Sequence, residues 1–320
     1  MSEKFLGGLD LLALLPCPLK VPVELEFKTF IENNNISIKY LLEGNANSQL
    51  DYNETIESYE DINEIPDIVI SSGVNSFYHK RFIDKFISKN YFYDATINMD
   101  EKFSGCNIKD PNGNYSVFAA NILVMVVDTK ALGTSPVPSK FSDLIKPEYY
   151  KKVALRGRDD SFCETTLLTI FKNSGYEGIA KLGKSVKYGW HPSQMVKMAG
   201  SGRDDAPAVS VMPYFFAHML ENKKGVTIVW PEDGAIVSPV TMLVKKSAEE
   251  RLKKIIEFFA GSKLGDICAG AFFPASNSEA KRIIPDTASL NWIGWDYIKE
   301  RDIGTLIKEI NGVFMESYRG

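Results

Sequence analysis

Short apolar runs alternate with stretches of helical periodicity along this chain, and this alternation is the feature that most limits its fold. Residues 11–15, 36–42 and 67–70 predict strands, and the stretches 21–32 and 53–62 between them predict helices. The buried face of the first helix is predicted to carry Val21, Leu25, Phe30 and Ile31. A strand, a helical crossover and a second strand in this order favour a parallel sheet covered by helices. We therefore predict an α/β protein.

The rest of the chain continues the pattern. Strands are predicted over 122–127, 153–155 and 209–212, and helices over 164–172 and 248–259. The last of these helices is predicted to carry Leu252, Ile255, Ile256 and Phe259 on one face. At 320 residues the chain is too long for one compact core and is suited to two α/β lobes.

Composition excludes two classes of partner. The apolar fraction of 44% and the charged fraction of 24% are those of an ordinary soluble protein. A net charge of −4 without a basic stripe argues against binding nucleic acid. No run of eighteen apolar residues occurs, so we predict no membrane-spanning segment.

The N-terminal stretch has two interpretations. Residues 5–15 are apolar apart from Asp10 and precede Cys17, as in a signal peptide that ends at a lipid-modified cysteine. However, Asp10 interrupts the apolar stretch, and Pro16 stands where such a signal needs a small residue. We interpret residues 11–15 as a first strand and expect a cytoplasmic protein. The alternative is an exported lipoprotein anchored through Cys17.

The residues that follow the predicted strands define a candidate site, because open parallel sheets bind ligands beyond the carboxyl ends of their strands. They are small, polar and basic. Ser71-Ser72-Gly73 offers hydroxyl and N–H groups to an oxyanion, and Arg156 or Arg158 offers a fork for carboxylate or phosphate. We therefore expect a small anionic ligand and no cofactor. The candidate residues are Cys17, Lys20, Ser71, Ser72, Gly73, Asn75, Arg156, Arg158, Ser161, Cys163, Thr165, His191 and Tyr214.

Five strings of the chain carry a family resemblance. Three are Asn121-Ile-Leu-Val-Met-Val-Val-Asp, Lys152-Val-Ala-Leu-Arg, and Trp230-Pro-Glu-Asp-Gly-Ala-Ile-Val-Ser-Pro-Val. The other two are Pro136-Val-Pro-Ser-Lys-Phe and Phe258-Phe-Ala-Gly-Ser-Lys-Leu-Gly. Together they resemble type 2 periplasmic solute-binding proteins, in the ferric-iron, polyamine and phosphorylated-solute branch of ABC-transporter substrate-binding proteins. The similarity spans about residues 65–274.

This resemblance implies two lobes, each a mixed, mostly parallel sheet flanked by helices. Lobe one would comprise residues 1–117 and 236–320, and lobe two residues 118–235. The ligand would be held between the lobes by hinge closure, without chemical conversion. The implied partner is an ABC-transporter permease, and we expect a monomer.

Two alternatives stay open. A metal or metal-complex binding protein would use Cys17, Cys163, His191 and Tyr214, although the region 211–216 has a single tyrosine. An enzyme on a binding-protein scaffold would use Cys163 with His191. None of the GxSxG, P-loop, GxGxxG or HExxH motifs occurs, which disfavours this second alternative.

Overall fold

A computed structural model describes residues 8–44, 55–158 and 160–320. Within these ranges the strands are β1 (Leu11–Leu15), β2 (Tyr40–Gly44), β3 (Ile68–Ser72), β4 (Phe92–Tyr93), β5 (Tyr115–Asp128), β6 (Val153–Arg156), β7 (Val186–Trp190), β8 (Val209–Pro213), β9 (Val226–Val229), β10 (Ala235–Lys245) and β11 (Leu290–Asn291). The predicted helix over 53–62 starts outside the described residues, and within them residues 55–58 are helical.

The helices of the described residues are α1 (Cys17–Asn33), α2 (Lys80–Phe82), α3 (Glu101–Gly105), α4 (Thr129–Leu132), α5 (Glu164–Ser185), α6 (Pro192–Met198), α7 (Tyr214–Ala217), α8 (Glu249–Ala260), α9 (Ser262–Gly270), α10 (Trp295–Lys299) and α11 (Ile303–Arg319). A π-helix over Ile83–Ile87 continues α2. Short 3-10 helices cover Ile62–Glu64, Ser76–Tyr78, Phe141–Ile145, Pro147–Tyr149, His218–Leu220 and Lys246–Ala248.

The chain divides into two compact units. Unit 1 contains the described residues up to Ala120, together with Pro239–Ile283 and Gly294–Gly304. Unit 2 contains Asn121–Ser238, Ile284–Ile293 and Thr305–Gly320. The chain passes from one unit to the other within the long strands β5 and β10.

The sheet of unit 1 confirms the predicted α/β class. Its strand order is β2-β1-β3-β10, with β4 also paired to β10. β1 runs parallel to both β2 and β3, whereas β10 returns antiparallel to β3. All five residues of β1 are buried, which explains why the strand is a continuous apolar run rather than an alternating one.

Helix α1 covers this sheet with a face other than the predicted one. Val21 and Leu25, which we expected in the core, are 59% and 63% exposed. Leu19, Val23 and Phe27 are buried instead, at the i, i+4, i+8 spacing of a single helical face. The helix begins at Cys17, directly after β1, and packing of the Phe27 ring against aromatic rings of α8 and β2 fixes its rotation.

The strands of unit 2 are ordered β9-β5-β8-β6-β7. β6 lies between β7 and β8 and runs parallel to both, while β5 is antiparallel to β8 and β9. The sequence patterns missed β7, because Lys187, Tyr188 and Gly189 break any apolar run there. Helix α5 covers this sheet, and Gly175 interrupts it close to the predicted end of the helix.

The C-terminal helix α11 packs on unit 2, although residues 236–320 were predicted to belong to lobe one. Its Phe314 and Tyr318 rings lie 4.5 Å and 5.1 Å from the ring of Phe162. The lobe boundaries themselves stay a prediction. The contacts of α11 favour assigning this helix to the second lobe.

Candidate functional site

The carboxyl ends of three parallel strands meet at one edge of the unit 2 sheet. β6 ends at Arg156, its neighbour β7 ends at Trp190, and β8 ends at Pro213. Helices α5, α6 and α7 follow these three strand ends in chain order. We call this region the unit 2 edge. Ligands of open α/β sheets bind at edges of this kind.

Arg156 places a cation at the unit 2 edge. A short hairpin leads from β6 into α5, closed by a bridge between Gly157 and Phe162. The Cys163 N–H donates to the Arg156 carbonyl at 2.9 Å, so Arg156 lies directly beside the start of α5. Arg156 is exposed, and its guanidinium forms no salt bridge with any described residue. It is therefore available to an anion from solvent.

The start of α5 adds uncommitted donors to this guanidinium. The first intrahelical bond runs from the Leu167 N–H to the Cys163 carbonyl at 3.1 Å, and no side chain caps the helix. The N–H groups of the first turn therefore point out of the helix, where its dipole favours negative charge. The buried Thr166 hydroxyl has no hydrogen-bond partner among the described residues.

Glu164, the first residue of α5, bears on the charge of the unit 2 edge. Surrounding protein atoms desolvate its carboxyl and raise its pKa, and the positive charge of Arg156 opposes this rise. The side chain nevertheless reaches solvent. A carboxyl that protonates easily here weakens the repulsion that a bound anion would experience.

Phe162 supports the hairpin from the opposite face of the sheet. A Cβ atom on Gly157 or Gly189 would lie 2.5 Å or 2.6 Å from the Phe162 ring, so both positions need glycine. On its outer side the ring packs against Phe314 and Tyr318. Phe162 thus holds the segment between Arg156 and α5 in place.

The other residues predicted for this unit have mixed surroundings. Arg158 and Ser161 close the hairpin through an N–H to carbonyl bond of 2.8 Å, and both are exposed. Cys163 is the N-cap residue of α5, and Thr165, in its first turn, is buried. Their contact with ligand stays a prediction.

His191 and Tyr214 have local partners for their polar atoms. The His191 Nδ1 lies 2.8 Å from the Ser193 hydroxyl, and the side chain caps α6. The Tyr214 hydroxyl donates to the Glu221 carboxylate at 3.0 Å, and burial raises the pKa of Tyr214 to about 12. The His191 Nδ1 and the Tyr214 hydroxyl are therefore committed within unit 2.

In unit 1, Cys17 and Lys20 lie in the first turns of α1. Cys17 is exposed and is the first residue of the helix. The Lys20 ammonium pairs with Glu24 one turn later, at 3.3 Å. Lys20 therefore already has an acidic partner on its own helix.

Polar groups of the Ser71-Ser72-Gly73 turn have more partners within the protein than the sequence suggested. The Gly73 N–H donates to the Pro239 carbonyl at 2.8 Å and is not available to a ligand. The Asn75 side chain caps a 3-10 helix of only three residues, by accepting from the Phe77 N–H at 3.1 Å. Ser71 and Ser72 are buried where β3 pairs with β10. A role for the two hydroxyls stays a prediction.

The histidines and cysteines of the chain all lie within residues 8–44, 55–158 and 160–320. Within these ranges no three His, Cys, Asp or Glu side chains come together in a way that could hold a metal ion. The four cysteines, all in these ranges, are free thiols. In the same part of the chain no helix is long and apolar enough to cross a membrane.

A surface depression of unit 2 is lined by β9 and the segment before it, and not by Arg156 or α5. Its one charged side chain, Glu221, already accepts from Tyr214. It therefore offers no cation to an anion. Its lining residues are Leu220, Glu221, Asn222, Val226, Thr227 and Ile228.

Comparison of the sequence with protein families gives one match, to the bacterial extracellular solute-binding proteins, over residues 63–301. The chain belongs to this family. The resemblance seen in the sequence is thereby confirmed, and the protein is a solute-binding protein. No curated protein matches the sequence.

Solved structures of periplasmic binding proteins share the fold of this solute-binding protein. The apo ferric ion-binding protein A of Pasteurella haemolytica is 16% identical, with a TM-score of 0.65 over 95% of this chain and 97% of that chain. The periplasmic binding protein AfuA of Actinobacillus pleuropneumoniae, with fructose-6-phosphate bound, is 15% identical, with a TM-score of 0.63 over 97% and 98%. The Trichodesmium protein IdiA (FutA), in complex with iron and citrate, is 12% identical, with a TM-score of 0.66 over 96% and 98%. At these identities the likeness establishes the two-lobed fold.

The family corrects the predicted location. Its members are extracellular, so the prediction of a cytoplasmic protein is wrong, and export fits better. Attachment of a lipid at Cys17 does not follow from this correction. Cleavage before Cys17 would remove β1, which pairs with β2 on one side and with β3 on the other. Asp10 and Pro16, which we took as evidence against a signal peptide, flank the buried strand β1.

Two residues of the unit 2 edge were missed by the sequence analysis. Thr166 follows the predicted Thr165, and only the structure distinguishes its unpaired hydroxyl from an ordinary helical threonine. Trp190 precedes the predicted His191, and recognising it required the unpredicted strand β7.

Proposed function

We propose that this solute-binding protein captures a small anion, and that Arg156 and the first turn of α5 hold its acidic group. Capture is reversible and leaves the ligand chemically unchanged. The exposed Arg156 guanidinium beside an uncapped helix start carries the proposal. Such a pair combines a planar fork for carboxylate or phosphate with N–H groups aligned by the helix dipole.

Two further observations support an anion. The Thr166 hydroxyl is buried without a partner among the described residues, and such a group gains stability from a ligand oxygen that accepts its hydrogen bond. Two structural neighbours are described with citrate and iron and with fructose-6-phosphate, which both include an anionic organic molecule. Delivery of the ligand to an ABC-transporter permease by a monomeric protein completes the proposal.

Thermal shift measurements test the anion preference. Wild-type protein would be screened with phosphate, sulfate, citrate, ferric citrate and sugar phosphates. An anion at one hundred times its Kd stabilises the folded state by about 2.7 kcal/mol. The variant Arg156→Ala should bind the best anion roughly 10- to 100-fold more weakly, since a hydrogen bond to a charged group contributes about 1.5–3 kcal/mol.

Lys181→Ala is the matched control. It also removes one exposed cation of unit 2, but this cation pairs with Glu177 on α5. Its affinity for the anion should equal that of the wild type. The proposed function would be refuted if no anion raised the melting temperature of the wild-type protein. It would also be refuted if Arg156→Ala bound the anion with wild-type affinity.

A further inference from the structure

A stacked aromatic pair lies on β7, next to Arg156. The Tyr188 and Trp190 rings are 4.0 Å apart between centroids and only 8° from parallel. The two residues are two positions apart on one strand, so their side chains lie on the same face of the sheet. Both are partly exposed, and β7 is the last strand of its sheet among the described residues.

Tyr188 is held in place, whereas one face of the indole is not covered by another ring. The Tyr188 hydroxyl donates to the Asp205 carbonyl at 3.0 Å, and the Lys187 ammonium lies 5.1 Å from its ring centroid. Tyr188 covers the side of Trp190 that faces the start of the strand. In the part of the chain that the structure describes, no other ring stacks on Trp190 and its indole N–H has no acceptor. The uncovered face therefore looks toward the carboxyl end of β7.

Arg156 stands beside this face. The ladder between β6 and β7 pairs Arg156 with Trp190, and Ala154 with Tyr188. Paired residues of a parallel ladder carry their side chains on the same face, so the guanidinium and the indole emerge side by side. Phe162 occupies the opposite face, at Gly189, and does not compete for this space.

We propose that Trp190 is a stacking platform for a ring that is attached to the bound anion. The ligand class is then a ring-bearing phosphate or carboxylate, with its acidic group at Arg156 and a ring face on the indole. This inference rests on the proposed function and narrows its ligand. A ring lying on an aromatic side chain is favoured through its buried area and dispersion contacts, and an adjacent cation binds the charge.

Isothermal titration of three phosphates tests the platform. The probes are inorganic phosphate without a ring, phenyl phosphate with a flat ring, and glucose 6-phosphate with a saturated ring. Wild-type protein should bind at least one ring-bearing probe more tightly than inorganic phosphate. Trp190→Ala should weaken binding of that probe by about 10- to 100-fold and change inorganic phosphate by less than about twofold, on the scale of measured base–aromatic stacking. If phenyl phosphate loses affinity the platform binds a flat ring, and if glucose 6-phosphate loses affinity it binds a saturated ring.

Two further variants separate stacking from folding. Trp190→Phe keeps a ring and should retain most of the affinity. Tyr176→Ala removes an exposed tyrosine elsewhere in unit 2 and should leave all three affinities unchanged. An equal loss for inorganic phosphate in Trp190→Ala, or wild-type protein that binds no ring-bearing probe more tightly than phosphate, would overturn the platform. Dependence of binding on Arg156 but not on Trp190 would overturn the platform alone. An affinity that does not change when Arg156 is replaced would overturn the proposed function itself.

Discussion

Replacement of Gly189 by alanine should destabilise unit 2, because the new methyl group meets the Phe162 ring. An ideal Cβ at Gly189 would lie 2.6 Å from Phe162 Cζ, 2.9 Å from Cε1 and 3.3 Å from the Arg158 carbonyl oxygen. The first two distances are well inside van der Waals contact, which for carbon atoms is about 3.5–4.0 Å. The ring cannot simply swing outward, since Phe314 and Tyr318 pack against its outer side.

Overpacking of this kind costs about 1–3 kcal/mol. The melting temperature should therefore fall by roughly 3–10 °C, as judged from the usual size scaling. Because the displaced ring supports the hairpin between Arg156 and α5, affinity for the anion should fall as well. Differential scanning calorimetry gives the first quantity, and titration calorimetry gives the second.

A double-mutant cycle assigns the loss to the predicted contact. In a Phe162→Leu background the ring edge is gone, so Gly189→Ala should cost less than about 0.5 kcal/mol. Gly312→Ala is the control, since nothing lies within 4 Å of its Cβ and alanine favours the helix α11. An unchanged melting temperature in Gly189→Ala, or the same loss in both backgrounds, would refute the role of Phe162.

Two further changes probe charges of unit 2. In Glu164→Gln the affinity for sulfate should no longer depend on pH. In the wild type the affinity for sulfate should rise about fivefold from pH 7 to pH 4.5. The raised pKa of Glu164 lets its carboxylate take up a proton in this range, which removes about 1 kcal/mol of repulsion. A wild-type affinity that does not change with pH would contradict this. Asp143→Asn should cost about 1 kcal/mol at pH 7. Burial opposes ionisation of Asp143, but the Lys146 ammonium and the Lys140 and Ser139 N–H groups outweigh it and lower its pKa. This stabilisation is present above the unfolded pKa and is lost as pH falls through the folded pKa, so denaturation at pH 3 should show a smaller difference between the proteins, and an equal difference would count against the assignment.

The sequence predicted the class of fold because burial dictates simple patterns. β1 is apolar throughout and β3 begins with an apolar run, and the buried face of α8 carries Leu252, Ile255, Ile256 and Phe259, as their spacing indicated. The rotation of α1 about its own axis could not be predicted, because two of its faces carry apolar residues. Only packing on the sheet decides that Phe27 is buried and Leu25 is not.

The candidate site was predictable where it depends on strand ends and not where it depends on unpaired atoms. Arg156 follows directly from the end of β6. The hydrogen bond from the Gly73 N–H to Pro239 and the buried, unpartnered hydroxyl of Thr166 depend on neighbours distant in sequence. Trp190 required β7, a strand whose mixed composition carries no periodic signal.

A crystal structure of the protein with its most stabilising anion tests the central claim most directly. The quantity to measure is the distance from the anionic oxygens to the Arg156 guanidinium and to the first-turn N–H groups of α5. The proposed function predicts charge-assisted hydrogen bonds of about 2.7–2.9 Å to Arg156. An anion bound away from Arg156, or a metal ion coordinated directly by Cys163, His191 or Tyr214, would contradict it.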